Sequence, residues 1–328
     1  MHPYFRCDRI EKRSKFNFQK ERKGIKMLDV LIRAGSFVAI IFLGYILRKI
    51  GVFRKEDFKV LSIVVLKITL PAAIVVSFAG TQLTPDMLIM ILLGFGIGAI
   101  YMIAGYLSNL KKSPGEKGFA VINLSGDNIG CFSMPFVQSF MGPAGVVATS
   151  LFDSGNAIVV LGGSYGVAST IKEGKGLSFK RLFKSLLTSV PFLFYLVLTT
   201  LKICQVQIPS QVVDFVRPVA NANAALAMLM IGVGFELTAD KTQLKIIAKM
   251  AALRYGIGAL FAVFVYFCLP FSQEIRNTLV LLAFSPVGSS APIFTQMLGE
   301  DEGLASAINS IFILLSIVIM VVLLPILI

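Results

Sequence analysis

The sequence predicts an all-helical, polytopic membrane protein whose ten transmembrane helices form two inverted five-helix repeats. Three observations support this fold class. Hydrophobic residues make up 56% of the 328 residues and charged residues only 15%, which is unlike a soluble globular domain. The chain contains about ten apolar stretches, each close to the roughly 20 residues that a helix needs to cross a bilayer. Short motifs also recur at a nearly constant spacing in its two halves.

The predicted spans are separated by short connections that leave no room for a soluble domain. In chain order, spans 1 to 10 cover residues 30–48, 58–80, 86–108, 117–140, 143–169, 182–203, 212–236, 243–269, 275–298 and 303–328. The first repeat occupies residues 27–170 and the second 182–328, with a cytoplasmic connection at 171–181.

Matching motifs relate the two repeats. The end-of-span turn at 80–86 (GTQLTPD) returns 154 residues later at 234–240 (GFELTAD). Span 4 carries Gly and Pro in the motif at 128–135 (NIGCFSMP). Span 9 carries them in the motif at 286–292 (PVGSSAP), which starts 158 residues later. Asp153 aligns with Asn309, at a spacing of 156. Chance similarity between apolar segments is the alternative, which three matches in the same order disfavour. Because five is an odd number, the second repeat must enter the bilayer from the opposite side, as in many secondary transporters.

Basic residues are distributed asymmetrically between the connections. Those after spans 1, 3, 5, 7 and 9 carry sixteen Lys and Arg, and those after spans 2, 4, 6 and 8 carry two. Positive connections stay in the cytoplasm, so both termini are predicted outside the cell membrane. The tail, residues 1–26, contradicts this with nine Lys and Arg. Three interpretations remain open: a non-native extension before a start at Met27, a basic segment on anionic lipid, or a segment translocated despite its charge.

Spans 4 and 9 are predicted to be broken near the middle of the membrane. Proline removes a backbone donor and clashes with the preceding helical turn, and glycine weakens a helix further. Freed backbone groups are tolerated in a membrane only inside protein or beside a wet cavity. Half-helix N-termini and loosened carbonyls could then bind an anion and a cation at one place. A proline kink used only for packing is the alternative. The candidate substrate-binding residues are Ser125, Asp127, Asn128, Gly130, Pro135, Ser285, Pro286, Ser289 and Ser290.

Charged residues inside spans are costly and usually functional. Asp127 and Asp153 could each take up a proton or help to hold Na⁺, although Asp153 could equally be a structural carboxylate satisfied by its neighbours. Lys67, deep in span 2, is expected to neutralise a buried carboxylate rather than to attract substrate. The candidate residues for ion coupling or support are Lys67, Asp153, Asn156 and Asn309.

The sequence also disfavours several functions. The single histidine, His2, lies in the tail, which excludes histidine-based proton relays and metal chemistry inside the membrane. The four cysteines are scattered without a metal-binding or disulfide spacing. Neither a GxxxxGK[ST] phosphate loop nor a GxGD protease motif is present, so an ATP-driven pump and an intramembrane aspartyl protease are both disfavoured. No enzyme activity and no metal are expected.

Over residues 27–328 the chain resembles the auxin efflux carrier family. The resemblance rests on a set of ordered motifs: Gly44-Tyr45 with Gly51, Leu70-Pro71-Ala72, Asn128-x-Gly130 with Pro135, Pro286 with a small polar cluster, and Gly299-Glu300-Asp301-Glu302. It implies a ten-helix fold with two crossing broken helices, shared with the bile acid:sodium symporters, and transport of organic anions such as auxin, malate or malonate. The chain departs from the family pattern where Ser289-Ser290 replaces a usual asparagine and where Asp127 precedes Asn128.

We therefore expect a secondary transporter, a permease or efflux carrier for small organic anions such as carboxylates or auxin-like acids. Alternating access would act on a midplane site where the two broken helices cross. A sodium- or proton-coupled symporter is the second hypothesis. No cofactor is expected, with Na⁺ or H⁺ left open as a coupling ion. The expected partners are the organic anion and the lipid bilayer; nucleic acid is excluded and a homodimer is left open.

Overall fold

The computed structural model describes residues 28–174, 178–235 and 241–327. Within these ranges the chain is helical, and one isolated bridge is its only extended pairing. The helices are, in chain order, α1 (Leu28–Lys49), α2 (Asp57–Ala79), α3 (Pro85–Leu107), α4 (Pro114–Leu124), α5 (Ile129–Phe140), α6 (Pro143–Glu173), α7 (Phe179–Thr188), α8 (Val190–Ile203), α9 (Ser210–Gly234), α10 (Lys241–Cys268), α11 (Gln273–Leu282), α12 (Ala291–Leu298) and α13 (Glu302–Leu327).

Seven of the described helices are long and apolar enough to cross a membrane: α1, α2, α3, α6, α9, α10 and α13. The pair α7 and α8 meets the same criterion when it is taken as one bent span. These findings confirm the predicted class, an all-helical protein that crosses the membrane several times. The other two predicted spans, 4 and 9, are each divided into two short helices, α4 with α5 and α11 with α12.

Local sequence signals fix where the half-helices start. Ser113 caps α4 through a reciprocal capping box with Glu116, and Pro114 occupies the first turn, where its missing donor costs nothing. In the matching place, the Ser272 hydroxyl accepts a bond from the Ile275 N–H at the start of α11. Both half-helices therefore begin at well-defined caps and run inward to end at the breaks.

The helices pack in two groups. Helix α9 lies against α2, and its backbone meets that of α1 at Gly44 and Gly232. In the other group α3 packs on both α4 and α6, α10 contacts α11, and α12 contacts α13. Helix α8 touches both groups, through α2 and α6. The two broken segments thus lie in the second group, facing the helices of the first.

The contact between α3 and α6 depends on two glycines. A Cβ atom at Gly94 would overlap the carbonyl oxygen of Phe152, and one at Gly155 would overlap that of Ile91. Small residues permit this close approach of helix backbones, which provides the packing contacts that hold membrane helices together. The result is a tightly joined pair of helices behind the broken segments.

The structure corrects several predicted boundaries. Span 6, predicted as one segment at 182–203, is two helices that meet at 78°, because the chain leaves helical geometry at Ser189 and Pro191 occupies the first turn of α8. Helix α6 continues to Glu173 and α7 starts at Phe179, so the connection is shorter than the predicted 171–181. The tail at 1–26 and most of the second GFELTAD copy lie outside the described residues.

The glycine contact can be tested by replacing Gly94 with alanine. The added methyl group would push α3 away from α6, and overpacking of this kind costs about 1–3 kcal/mol of unfolding free energy. We expect a lower melting temperature for the detergent-purified protein. Gly96 is the matched control, because a Cβ there meets nothing within 4 Å. Gly96→Ala should leave the melting temperature unchanged or raise it, and equal effects of the two substitutions would contradict the proposed role of the contact.

Candidate functional site

The two breaks are joined to each other by main-chain hydrogen bonds. The N–H of Asn128 donates to the Pro286 oxygen at 2.9 Å, and the N–H of Gly288 donates to the Gly126 oxygen at 3.2 Å. Together these bonds form a short antiparallel bridge between Asp127 and Val287. Gly126 has a φ of +76°, a conformation that residues with a side chain rarely adopt. The bridge satisfies backbone groups that would otherwise be unpaired within the membrane.

Asn156, on α6, also forms hydrogen bonds with the backbone of the first break. Its side-chain oxygen accepts from the Asp127 N–H, and its side-chain nitrogen donates to the Asp127 carbonyl oxygen, both at 2.8 Å. The amide nitrogen also donates to a carboxylate oxygen of Asp153 at 2.8 Å. One buried amide therefore replaces, for Asp127, the hydrogen bonds that a continuous helix would have supplied.

Arg254, on α10, is the charged centre of the crossing. Its side chain is 1% exposed and forms an ion pair with Asp127, which is 3% exposed. Further N–H groups donate to three main-chain oxygens at the breaks, those of Leu124, Gly126 and Ser285. The Tyr101 ring lies 4.7 Å from the guanidinium carbon and covers its face. The guanidinium thus joins both breaks and the helix α3.

Three serines and a main-chain carbonyl complete the connections between the segments. The hydroxyls of Ser133 and Ser285 are 2.6 Å apart and buried. The Ser290 hydroxyl donates to the Val160 oxygen of α6 at 3.0 Å. Ser125, in contrast, bonds within its own helix, to the Val121 oxygen. These contacts fix the second break relative to α5 and α6.

A cavity of about 560 Å³ opens beside the crossing. Its walls come from α2, α6, α8 and both breaks, and it extends to the exposed Lys59 near the start of α2. The cavity-lining residues at the breaks are Asp127, Asn128, Ile129, Gly130, Cys131, Gly288, Ser289 and Ser290. Among the described residues, none forms a hydrogen bond with the side-chain amide of Asn128. This amide is therefore available to a molecule in the cavity.

Asp153 supplies a carboxylate to the same cavity. It accepts hydrogen bonds from the Tyr195 hydroxyl at 2.9 Å and from Asn156. Within the described part of the chain, no Lys or Arg lies within ion-pair distance of it. The two acidic residues at the site thus differ: Asp127 is paired with a cation and Asp153 is not.

A buried cluster of polar side chains, the amide cluster, lies near the C-terminal end of α5, away from the cavity. The Thr69 hydroxyl donates to the Asn223 side-chain oxygen at 2.9 Å, and the Asn223 amide donates to Gln138 at 3.0 Å. Gln138 in turn donates to the Ala220 main-chain oxygen. These bonds connect α2, α5 and α9, so the two groups of helices are in contact there and separated at the cavity.

Residues 36–176 match a protein family described as "Membrane transport protein", the auxin efflux carrier-type family. The match includes the first break, Asp153 and Asn156, and it supports the resemblance found in the sequence. No curated protein matches the chain. Over the matched residues the chain is thus similar to a family of membrane transport proteins.

The predicted site residues fall into three groups. Asp127, Asn128, Gly130, Asp153, Ser289 and Ser290 line the cavity. Ser125, Asn156, Ser285 and Pro286 lie behind it and bond the backbone or the neighbouring helix. Lys67, Pro135 and Asn309 lie elsewhere. Pro135 is buried inside α5, where the π-helical turn Ile129–Ser133 gives way to α-helix, and the Asn309 side-chain oxygen is buried on α13 without a hydrogen-bond partner among the described residues.

The expected pairing of Lys67 is wrong. Its side chain is exposed, and the cation beside Asp127 is Arg254. Sequence analysis missed Arg254 because Lys241, Lys245 and Lys249 precede it and make it look like the last of an interfacial basic series. Its position was nevertheless a signal, since it lies five residues deeper than Lys249 and is followed by a wholly uncharged run to Cys268.

The bracing by Asn156 can be tested with Asn156→Ala. The substitution leaves the buried N–H of Asp127 without a partner and removes one of the two N–H donors to its carbonyl oxygen, the other being Ile129. A buried group left unsatisfied costs about 1–3 kcal/mol. We expect a clear fall in melting temperature together with loss of transport. Asn109→Ala is the control, because this half-exposed amide bonds only at the end of α3 and to Lys249. A melting temperature of Asn156→Ala equal to that of the control would contradict the bracing role.

Proposed function

We propose that the protein is a permease for small organic anions such as carboxylates or auxin-like acids, and that it binds them in the cavity beside the two breaks. The observation that carries this proposal is the free amide of Asn128 at the start of a half-helix. An amide with no hydrogen-bond partner among the described residues can donate to a carboxylate oxygen of a bound anion.

The direction of the half-helices supports an anionic substrate. Helix α5 begins at Ile129, on the cavity wall, and α12 begins directly after Ser289 and Ser290, which also line it. A helix N-terminus carries about half a positive charge and exposes N–H groups without partners. Two such ends beside one cavity favour a negatively charged group there.

The size and lining of the cavity support an organic molecule. A volume of about 560 Å³ lies in the range of about 300–1,000 Å³ that is usual for small-molecule sites. Leu66 and Phe192 offer apolar walls opposite the breaks. An acid with a hydrophobic body could therefore place its carboxylate at Asn128 and its body against α2 and α8.

We further propose that the ten segments form two inverted five-helix repeats. Residues that meet across the molecule are separated in sequence by nearly the repeat spacing: 154 residues for Thr69 and Asn223, and 152 for Ser133 and Ser285. Asn128 and Pro286 also meet, and they are equivalent in the repeated motifs. Equivalent residues can touch only near the axis that relates the two halves, so these contacts support an axis through the crossing.

Alternating access follows from this arrangement. The two groups of helices are apart at the cavity and joined at the amide cluster, which corresponds to a state open on one side. Since Lys59 and the start of α2 border the opening, the positive-inside rule favours a cytoplasmic opening, with both termini outside and the protein in the cell membrane. Rocking of one group against the other would expose the site to the opposite side.

A proton-coupled carrier is the second candidate, and Asp153 favours it. A carboxylate facing the same cavity as an anion would repel it, unless the carboxyl group is protonated when the substrate binds. The titratable and charged neighbours at the cavity are Asp127 with Arg254, Tyr195, Cys131 and Lys59. Among these acids, Asp127 is held by Arg254, which leaves Asp153 to exchange a proton.

The binding role of Asn128 can be tested with Asn128→Ala in proteoliposomes. A thermal-shift screen of dicarboxylates, amino acids and indole acids would first identify a ligand. Loss of a hydrogen bond to a charged group should weaken its binding by roughly tenfold to a hundredfold and lower uptake accordingly. Asn221→Ala is the matched control, because Asn221 is an exposed amide on α9. Unchanged affinity in Asn128→Ala would place the substrate elsewhere.

Proton coupling can be tested with Asp153→Asn. This isosteric change removes the titratable group while keeping hydrogen-bonding capacity towards Tyr195. If Asp153 carries the proton, an inward proton gradient should stimulate uptake by the wild-type protein and not by Asp153→Asn. Asp214→Asn, which alters an exposed carboxylate, should keep the wild-type response. A gradient response that persists in Asp153→Asn would exclude this carboxylate as the coupling group.

A further inference from the structure

The surroundings of Arg254 have the composition of a cation-binding site. Its guanidinium is contacted by the Asp127 carboxylate and by main-chain oxygens from both breaks, at Leu124, Gly126 and Ser285. Carboxylate and carbonyl oxygens are the ligands that hard metal cations take in proteins, and rings of carbonyls replace the hydration shell of ions in channels. Here every one of these oxygens is turned towards a side chain of the protein itself.

Helix geometry adds to the negative potential at this position. Helix α4 ends at Leu124 and α11 ends at Leu282, three residues before Ser285. Each C-terminal end carries about half a negative charge, and the Asp127 carboxylate adds a full one. Three negative groups in a buried, low-dielectric region require a cation close by. Arg254 is the one Lys or Arg that the described residues place there.

We propose that Arg254 is a built-in substitute for a transported cation: its guanidinium fills a cation site formed by the two breaks, so the carrier needs no Na⁺. The transport part of this inference rests on the proposed function. A bound metal ion can enter and leave in each cycle, whereas a guanidinium attached to α10 cannot. The crossing therefore stays neutralised in every state of the carrier, and no Na⁺ gradient contributes to the transport of the anion.

The contacts fit an arginine better than a lysine. The Nε group donates to the Ser285 oxygen at the second break, and the Nη1 and Nη2 groups donate to the Leu124 and Gly126 oxygens at the first. The guanidinium carbon also lies over the Tyr101 ring, 4.7 Å from its centroid, as in cation–π contacts of arginine. A lysine ammonium has a point charge and three donors, and it lacks a flat face for the ring. The site is thus shaped for one planar cation.

The first experiment uses the wild-type protein in proteoliposomes. Uptake of the anion identified by the thermal-shift screen should proceed at the same rate in Na⁺ medium and in medium where N-methyl-D-glucamine replaces Na⁺. A requirement for Na⁺ would overturn the proposal. This measurement needs no variant, so it decides the question even if substitutions at Arg254 prevent folding.

The second experiment removes the tethered cation. Arg254→Ala should lose most uptake, and millimolar guanidinium ion in the medium should restore part of it by occupying the vacated oxygens. Arg254→Lys should retain more activity than Arg254→Ala, because it supplies the charge without the planar contacts. The matched control is Arg217→Ala, which removes an exposed arginine of α9 paired with Asp214; its uptake should stay high and should not respond to guanidinium. Absence of guanidinium rescue in a folded Arg254→Ala protein would contradict the proposal.

A stability measurement separates this inference from the transport proposal. Guanidinium at millimolar concentration should raise the melting temperature of Arg254→Ala, while the wild type and Arg217→Ala should not respond, because their sites are filled or unchanged. If no organic anion is transported but this selective stabilisation occurs, the function proposal fails and the cation site stands. If uptake depends on Asn128 but guanidinium stabilises no variant selectively, the cation site fails instead.

Discussion

The fold of this protein depends on how it satisfies the hydrogen-bonding groups of two stretches of buried, non-helical backbone. Unpaired N–H and C=O groups cost several kcal/mol each in a membrane interior, and each break exposes several of them. The guanidinium of Arg254 forms an ion pair with Asp127 and donates to three main-chain oxygens at the breaks, those of Leu124, Gly126 and Ser285. Asn156 and the short antiparallel bridge satisfy the remaining groups at Asp127 and Asn128. These bonds hold the two broken segments, α4 with α5 and α11 with α12, against each other although they are far apart in the sequence.

The same arrangement separates charge across the crossing. The C-terminal ends of α4 and α11 point towards Arg254, on one side, and the N-terminal ends of α5 and α12 lie at the cavity, on the other. The protein neutralises the negative side from within and leaves the positive side to a ligand. Under the proposed function, an anion at this end would meet the side-chain amide of Asn128, the hydroxyls of Ser289 and Ser290 and the N-terminal ends of the two half-helices.

Much of the fold could be predicted from the sequence, because apolar length and the positions of Gly and Pro report directly on helices and their breaks. Gly126 and Pro286 mark the breaks that the structure joins, and Asn128 lines the cavity beside them. The partner of a buried charge is harder to predict from the sequence. The depth of Arg254 within its span indicates burial, but only the packing of α10 against α3 and the breaks places it beside Asp127 and leaves Lys67 exposed. The bend between α7 and α8 was missed because the hydrophobic pattern continues through it.

The amide cluster at the far end of α5 has a counterpart elsewhere in the chain. Gln138 follows a Phe-Val pair, and 158 residues later Gln296 follows Phe-Thr near the end of α12, with its side chain exposed. Under the proposed symmetry, transport to the other state would make each repeat adopt the conformation of the other. Gln296 would then contact Thr69, as Gln138 contacts Asn223 in this structure. One glutamine would then hold the two groups of helices together in the state open to one side, and the other would do so in the state open to the opposite side. In each state the other glutamine would lack this contact.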